Sequence, residues 1–266
     1  MKRVYAVKIR SDNLIIFSKR RDWDIVLSQP HSSNYLFKET LHIMFHNDGS
    51  LTVCGDITFL IISILINSFG NALTVALNLG SALWTASSVN LSHFFNYSLT
   101  GVLFWEGVAV VLSNALILGK FDIRRIFGNF VFMIPFSYLV GMIATQLSKT
   151  GLTELPLTVK IILDLCGILL IAAGISIYQR VNLILHPNDD FMQIIRFKFF
   201  HGNAALAQTC SFLIPVILII LCTIGNHDIW AINIGTVFSF LFQGFFVGLS
   251  DKFIFPKLDH QNLNLN

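Results

Sequence analysis

Two carboxylates and a row of amides stand where this sequence is otherwise hydrocarbon. Glu106 lies inside the apolar run that starts near Thr100, and Ser113 shares its helical face seven residues on. Asp164 lies one turn inside another apolar run, with Lys160 four residues before it. Asn67, Asn71, Thr74 and Asn78 recur at i, i+4, i+7 and i+11, which at 3.6 residues per turn draws one polar stripe along a helix. An unpartnered amide in hydrocarbon costs several kcal/mol, so this stripe has to face protein or water. Two chemistries fit it: hydrogen bonding between packed helices, and the polar wall of a solute path. A carboxyl group within a membrane is a functional-site hypothesis by default. Glu106 suits either a proton carrier or a neutral acid joining two helices. Asp164 suits an i, i+4 ion pair with Lys160 at the membrane border, or a place beside Glu106 in one outward cavity.

The elements that would hold these groups are membrane spans. The chain has 266 residues, 54% hydrophobic and 12% charged, with 25 Phe. A soluble domain carries about twice that charged fraction. Six windows reach the roughly 20 apolar residues that cross a bilayer. They are Ile57–Leu79, Thr100–Leu118, Ile126–Leu147, Lys160–Tyr178, Ala204–Ile224 and Trp230–Leu249. Pro135 is expected to kink the third. The fourth inserts despite Asp164, because its large aliphatic residues offset one central acid.

Sixteen of the 18 Lys and Arg fall on one predicted side. Eight lie in residues 1–55, three are Lys120, Arg124 and Arg125, three are Arg180, Arg196 and Lys198, and two are Lys252 and Lys257. The positive-inside rule then places both termini in the cytoplasm. Residues 1–55 read as a cytoplasmic tail with Met44 as an alternative start, and 251–266 as a second tail. Residues 1–55 also lack the early apolar core of a signal peptide.

A gapless shift of 104 residues lays Ile64 on Ile168, Gly70 on Gly174, Asn78 on Asn182 and Phe95 on Phe199. Each copy reads as a span, a semi-polar stretch, and two more spans, giving repeats at 57–147 and 160–249 within a transmembrane domain of 56–250. Three spans per copy make the second copy enter from the opposite side, a plan common in secondary transporters. The expected fold is therefore all-α: six transmembrane helices in two inverted three-helix repeats. The semi-polar stretches, 80–98 and 186–203, are too polar to cross. They read as interfacial helices, with re-entrant segments as the alternative. His186, Asp189, Asp190 and His201 accordingly read as a solvated loop.

The stretches "SFGNALTVALNLGSALW" and "GISIYQRVNLILHPNDDFM", with the glycine-led "IFGNFVFMIPF" and "INIGTVFSFLFQGFFVG", resemble the YczE/YyaS/YitT group of bacterial integral membrane proteins. In that group each half tends to carry a Gly, Pro, Trp/Arg, Asp turn. Trp84 matches the first turn, where Leu83 and Thr85 replace Pro and Asp, and Pro187 and Asp189 match the second. The resemblance spans about 210 residues of the chain. It implies a protein of the bacterial cytoplasmic membrane and brings no mechanism with it.

Several classes lack their signatures. The four cysteines show no metal-ligand spacing and read as small buried hydrophobes. His42 and His46 lack the intervening Glu of a zinc protease. The motifs HExxH, GxSxG, GxxxxGK[ST] and GxGxxG are absent. No basic, aromatic-interleaved cluster suggests nucleic acid. Asn90 and Asn96 match the glycosylation pattern, which carries no meaning in a bacterium. Gly244 and Gly248 form a GxxxG face suited to packing within the chain or to a homo-oligomer. The expectation is a small-solute permease, proton-coupled through Glu106, with Asn67, Asn71, Thr74, Asn78, Ser113 and Asp164 along the path and neither metal nor cofactor. The alternative is a non-transporting membrane partner or assembly factor.

Overall fold

The structure is a computed structural model that describes residues 5–9, 13–17, 43–46 and 50–259. Near the N-terminus, Tyr5–Ile9 (β1) pairs antiparallel with Asn13–Phe17 (β2). His42 lies outside the described residues. Among the described residues eight α-helices follow: α1 Val53–Leu77, α2 Leu83–Phe95, α3 Leu99–Leu118, α4 Ile123–Leu147, α5 Leu157–Val181, α6 Pro187–Lys198, α7 Ala204–Asn226 and α8 Ile234–Phe253. Six of them (α1, α3, α4, α5, α7 and α8) are long and apolar enough to cross a membrane. The chain folds as a polytopic helical membrane protein.

Local chemistry sets the helix ends. Thr52, Ser98, Asp122 and Asn203 each accept a hydrogen bond from a backbone N–H of the first turn. Asn78 and Asn182 end α1 and α5 in the left-handed conformation, at φ 52° and 49°. α8 begins at Ile234, four residues later than the hydropathy suggests. The Trp230 backbone is held by Asn90, and Asn233 caps the helix.

The repeat is present in three dimensions. Val53 to Leu157, Leu77 to Val181, Asn78 to Asn182 and Leu83 to Pro187 are each a step of 104 residues. α1 and α5 cross antiparallel. A Cβ at Gly70 would meet Ile171, one at Gly167 would meet Thr74, and one at Gly174 would meet Asn67. These contacts are reciprocal, because Gly174 is the copy of Gly70 and Ile171 the copy of Asn67. A pseudo-two-fold axis therefore passes through this seam. The remaining helices obey it: α1 packs on α4 as α5 packs on α8, and α2 packs on α7 as α6 packs on α3. Each short helix thus leans on the other repeat, which locks the halves together.

The short helices, read as interfacial, pack into the bundle by their first turns. At 13 and 12 residues and 1.5 Å per residue, α2 and α6 reach about 20 Å, less than a bilayer core. Their first turns lie inside the bundle and their C-terminal ends point outward. α2 buries Leu83 and every residue from Thr85 to Asn90. Its polar groups are satisfied by protein instead of lipid headgroups, as non-spanning backbone within a membrane requires.

Among the described residues, parts of both terminal segments pack on the bundle. Met44, Phe45 and Leu51 pack with Phe59, Ile177 and Leu258 in one cluster. Arg180, 1% exposed, turns inward from α5 to the end of α8. Its guanidinium donates to the carbonyls of Ile254 (2.8 Å), Phe255 (3.1 Å) and Leu258 (3.0 Å). Counted in the sequence only as a cytoplasmic-side charge, it satisfies carbonyls left open where the last helix stops.

Other expectations change too. Cys54 and Cys166 are exposed on the outer surface of the bundle, Cys210 is half-buried and Cys222 buried. Asn90 is fully buried, its amide shared between Ala86 and Trp230. α4 and α7 each continue through a proline, Pro135 and Pro215. Gly244 and Gly248 are exposed, and nothing lies within 4 Å of where their Cβ atoms would stand.

Candidate functional site

A cavity of about 90 Å³ lies at the pseudo-two-fold axis, and all eight helices contribute to its wall. A cavity needs about 10–15 Å³ per enclosed water, so this one has room for several waters or one small solute. α1 contributes Asn67 and Asn71, α3 Glu106, α4 Phe136, and α5 Ile171, Ile175 and Tyr178. The first turn of α2 brings Trp84 and Thr85, and Ser88 follows one turn on. The matching turn of α6 brings Asn188 and Asp189 beside His186. α7 adds Gln208 and Ser211, and α8 adds Gln243.

The wall is symmetric in backbone and asymmetric in chemistry. The 104-residue step pairs Asn67 with Ile171, Asn71 with Ile175, and Thr85 with Asp189. One repeat offers amides where the other offers aliphatic carbon. That difference allows a single occupant to be held one way round in a site that the backbone makes two-fold.

The asparagine stripe divides into three parts. Asn67 and Asn71 join a hydrogen-bonded chain across the axis. Thr85 Oγ1 donates to Asn71 Oδ1 (2.6 Å), Asn71 Nδ2 donates to Asn67 Oδ1 (2.9 Å), and Asn67 Nδ2 donates to the Ile171 carbonyl (3.4 Å). Thr74 is buried in the α1–α5 seam and donates to the Asn71 carbonyl (3.0 Å). Asn78 caps α1 and accepts from the Ala231 N–H (3.3 Å). Packing and cavity wall are therefore the same residues at Asn67 and Asn71, and Thr74 and Asn78 pack outside the cavity wall.

Glu106 faces the cavity from α3 and takes its hydrogen bonds from α2. Ser87 Oγ donates to Oε1 at 2.5 Å, and Ser88 Oγ donates to Oε2. Ser113 does not join it. Its hydroxyl returns to the Ala109 carbonyl (2.8 Å), away from the cavity. Asp164 is not beside Glu106 either, and it forms no ion pair with Lys160. Lys160 Nζ donates to the Thr153 carbonyl (3.3 Å), while Asp164 is 3% exposed and turned toward the start of α8. Among the described residues the ion pairs are Arg125–Asp190 and Arg180–Asp251.

The second carboxylate of the cavity is Asp189, which the sequence places in a loop. The Tyr178 hydroxyl donates to it. Burial lifts its carboxyl to about 6, which the Tyr178 hydrogen bond moderates and neighbouring Asp190 reinforces. Burial also depresses His186 to about 3, so that imidazole is neutral at physiological pH. It sits edge-on to Phe132 and Phe136. No Lys or Arg is in the cavity wall.

Asp190, the next residue, faces the other way. It lines a second recess of about 460 Å³ at the arginine-bearing end of the bundle. Arg125 Nε donates to both its oxygens (2.8 and 2.9 Å), and Asn129 Nδ2 donates to Oδ2 (3.0 Å). The first turn of α6 is thus a partition, with Asp189 on the cavity side and Asp190 on the recess side.

Residues 54–252 match the family of unknown function DUF6198. The chain belongs to that family. The match runs from the first turn of α1 to the last turn of α8, so the family corresponds to the whole helical bundle. No curated protein matches the chain, and no solved structure does.

Proposed function

We propose that this member of the DUF6198 family is a permease for a small polar solute, neutral or positively charged, and not an enzyme. The observation that carries the proposal is the central cavity. It sits where two inverted repeats meet, which is where transporters of that plan hold their substrates, and it contains Glu106 and Asp189 with no Lys or Arg. Two acids in a cavity walled by protein, with no cation beside them, disfavour an anion and favour a cation or a hydrogen-bonding neutral molecule. Glu106, in reach of Ser87 and Ser88, is the group for proton coupling.

The partition made by the first turn of α6 supplies a gate. Arg125 and Asn129 hold it from the recess side through Asp190, and Tyr178 holds it from the cavity side through Asp189. Charge placement supports an orientation in which the arginine-bearing end faces the cytoplasm of a bacterial cell, with both termini on that side. The turns at Trp84 and at Pro187–Asp189 support kinship with the YczE/YyaS/YitT group.

The test is uptake by proteoliposomes over a panel of small amines, polyols and carboxylates. The expected result is uptake of an amine or polyol above that of empty liposomes, reduced at least tenfold in Glu106→Gln. Carboxylate uptake alone would overturn the charge reading, and no uptake of any solute would overturn the permease reading.

A further inference from the structure

Away from the central cavity, at the end of the bundle opposite the arginines, two buried oxygens have no hydrogen-bond partner among the described residues: Asp164 Oδ1 and Ser81 Oγ. They belong to one junction. The chain breaks between α1 and α2 at Leu79–Ala82, and that break lies against α5 and the start of α8. The Gly235 N–H donates to the Leu79 carbonyl (3.0 Å), and the Ser81 N–H donates to Thr236 Oγ1 (3.1 Å) and the Ala231 carbonyl (3.1 Å). Asp164 enters from α5. A Cβ on Gly235 would collide with Asp164 Oδ2 and would stand 3.0 Å from the Leu79 oxygen. Asp164 is 3% exposed and Ser81 0%.

The other copy of this junction shows what the fold needs there. The 104-residue step carries Asp164 to Leu60 and Ser81 to Leu185. Those two leucines lie in one dry cluster with Phe132 and Phe136. A glycine opens the facing helix in both copies: Gly235 meets the break at Leu79, and Gly128 meets it at Ile184. Leucines therefore fill this geometry without strain, and packing does not call for an acid. An isolated carboxylate in a membrane is costly unless a positive charge accompanies it. Lys160, the nearest base along α5, turns to Thr153 instead.

We propose that the junction binds a sodium-sized monovalent cation through the Asp164 carboxylate, the Ser81 hydroxyl and the second lone pair of the Leu79 carbonyl. All three donors are oxygen, the preference of a hard cation. One carboxylate balances one positive charge, whereas a divalent ion would leave net charge in the bilayer. The break lies at the C-terminal end of α1, where the helix dipole is negative and carbonyls are free of helical partners. None of the three residues lines the central cavity, so the site stands apart from the permease reading.

Thermal unfolding of the purified protein in detergent tests this by reading binding without any transport step. NaCl is compared with choline chloride at equal ionic strength and fixed pH. A saturating ligand is expected to raise the wild-type midpoint by about 5 °C in NaCl. Asp164→Asn removes that rise, and Ser81→Ala moves the half-maximal sodium concentration upward about tenfold. Equal midpoints in the two salts for wild type overturn the proposal and leave a proton as the companion of Asp164. A sodium effect that survives Asp164→Asn overturns it as well. Should Asp164→Asn fail to elute as a folded species, Ser81→Ala decides: an unchanged sodium titration overturns the site.

Discussion

Asn67 and Ile171 are copies of one another, 104 residues apart, and they touch: the Asn67 amide donates to the Ile171 carbonyl at 3.4 Å. Two repeat-equivalent residues meet in this way only beside the axis that relates them. The same seam carries Gly70 and Gly174, whose missing side chains let α1 and α5 approach. A Cβ at Gly70 would stand 2.7 Å from the Gly167 oxygen and 2.9 Å from the Ile171 nitrogen, with backbone on the far side that cannot yield cheaply. Gly70→Ala and Gly174→Ala should each destabilise the fold by about 1–3 kcal/mol, the range for overpacking. Thermal unfolding in detergent measures this, and wild-type midpoints for both would remove the seam as the centre of the architecture.

Arg180 offers a second test of how the helical domain is closed. Its removal takes the donor from the carbonyls at Ile254, Phe255 and Leu258 and the guanidinium from half-exposed Asp251 (3.4 Å), which keeps the Ser176 hydroxyl. Arg180→Met should cost about 1–3 kcal/mol, the cost of leaving buried acceptors without a donor. The end of α8 should then become the first point of protease cleavage. Arg180→Lys should recover only part, because a compact ammonium lacks the guanidinium's planar spread of five donors.

The acidity of Asp189 sets a pH dependence with a definite sign. Its carboxyl is lifted from 3.8 to about 6 by burial. The folded protein therefore binds this proton more tightly than the unfolded chain, and its contribution to stability falls as pH rises from about 4 to 6. His186, lowered from 6.5 to about 3, contributes in the opposite direction over much of that range. The two partly cancel in wild type. Asp189→Asn leaves the His186 contribution alone, so its stability should climb more steeply with pH between 4 and 6. Parallel wild-type and variant curves in unfolding experiments over that range would show that Asp189 does not titrate there.

The gate predicts a change in access. Arg125→Ala removes the donor that holds Asp190 (2.8 and 2.9 Å) while leaving Asp189 and Tyr178 in place. A cysteine at Ser88, in the cavity wall, should then react at least tenfold faster with a membrane-impermeant thiol reagent supplied from the arginine-bearing side. Unchanged labelling would mean that the first turn of α6 is fixed packing.

Much of this architecture is legible in the sequence because the membrane makes hydropathy decisive. Six apolar runs, the 104-residue step and Asn78/Asn182 all survive folding. What escapes is the fate of polar residues in short segments. Asp189 and His186 sit among Asn188, Asp190 and Arg196, and that local polarity reads as solvent. Only the tertiary fold shows that protein surrounds the first turn of α6. The clue was available in the repeat, since Asp189 is the copy of Thr85, on the helix that follows the asparagine stripe. Asp164 misleads for the converse reason. Lys160 has helical spacing for an ion pair, but the open space at Gly235 draws the carboxylate inward. Gln243 and Ser211, single polar residues in apolar runs, carry no sequence signal that separates cavity wall from lipid-facing side chain.

The central claim is that the cavity at the axis is an aqueous solute site. It is tested most directly by a single cysteine at Asn71, in a background with Cys54, Cys166, Cys210 and Cys222 replaced by serine. The account predicts modification by a small water-soluble thiol reagent, slowed by any solute that the protein carries. An Asn71→Cys protein that stays unmodified from both sides of the membrane, although folded, would contradict it and leave the asparagines as packing groups alone.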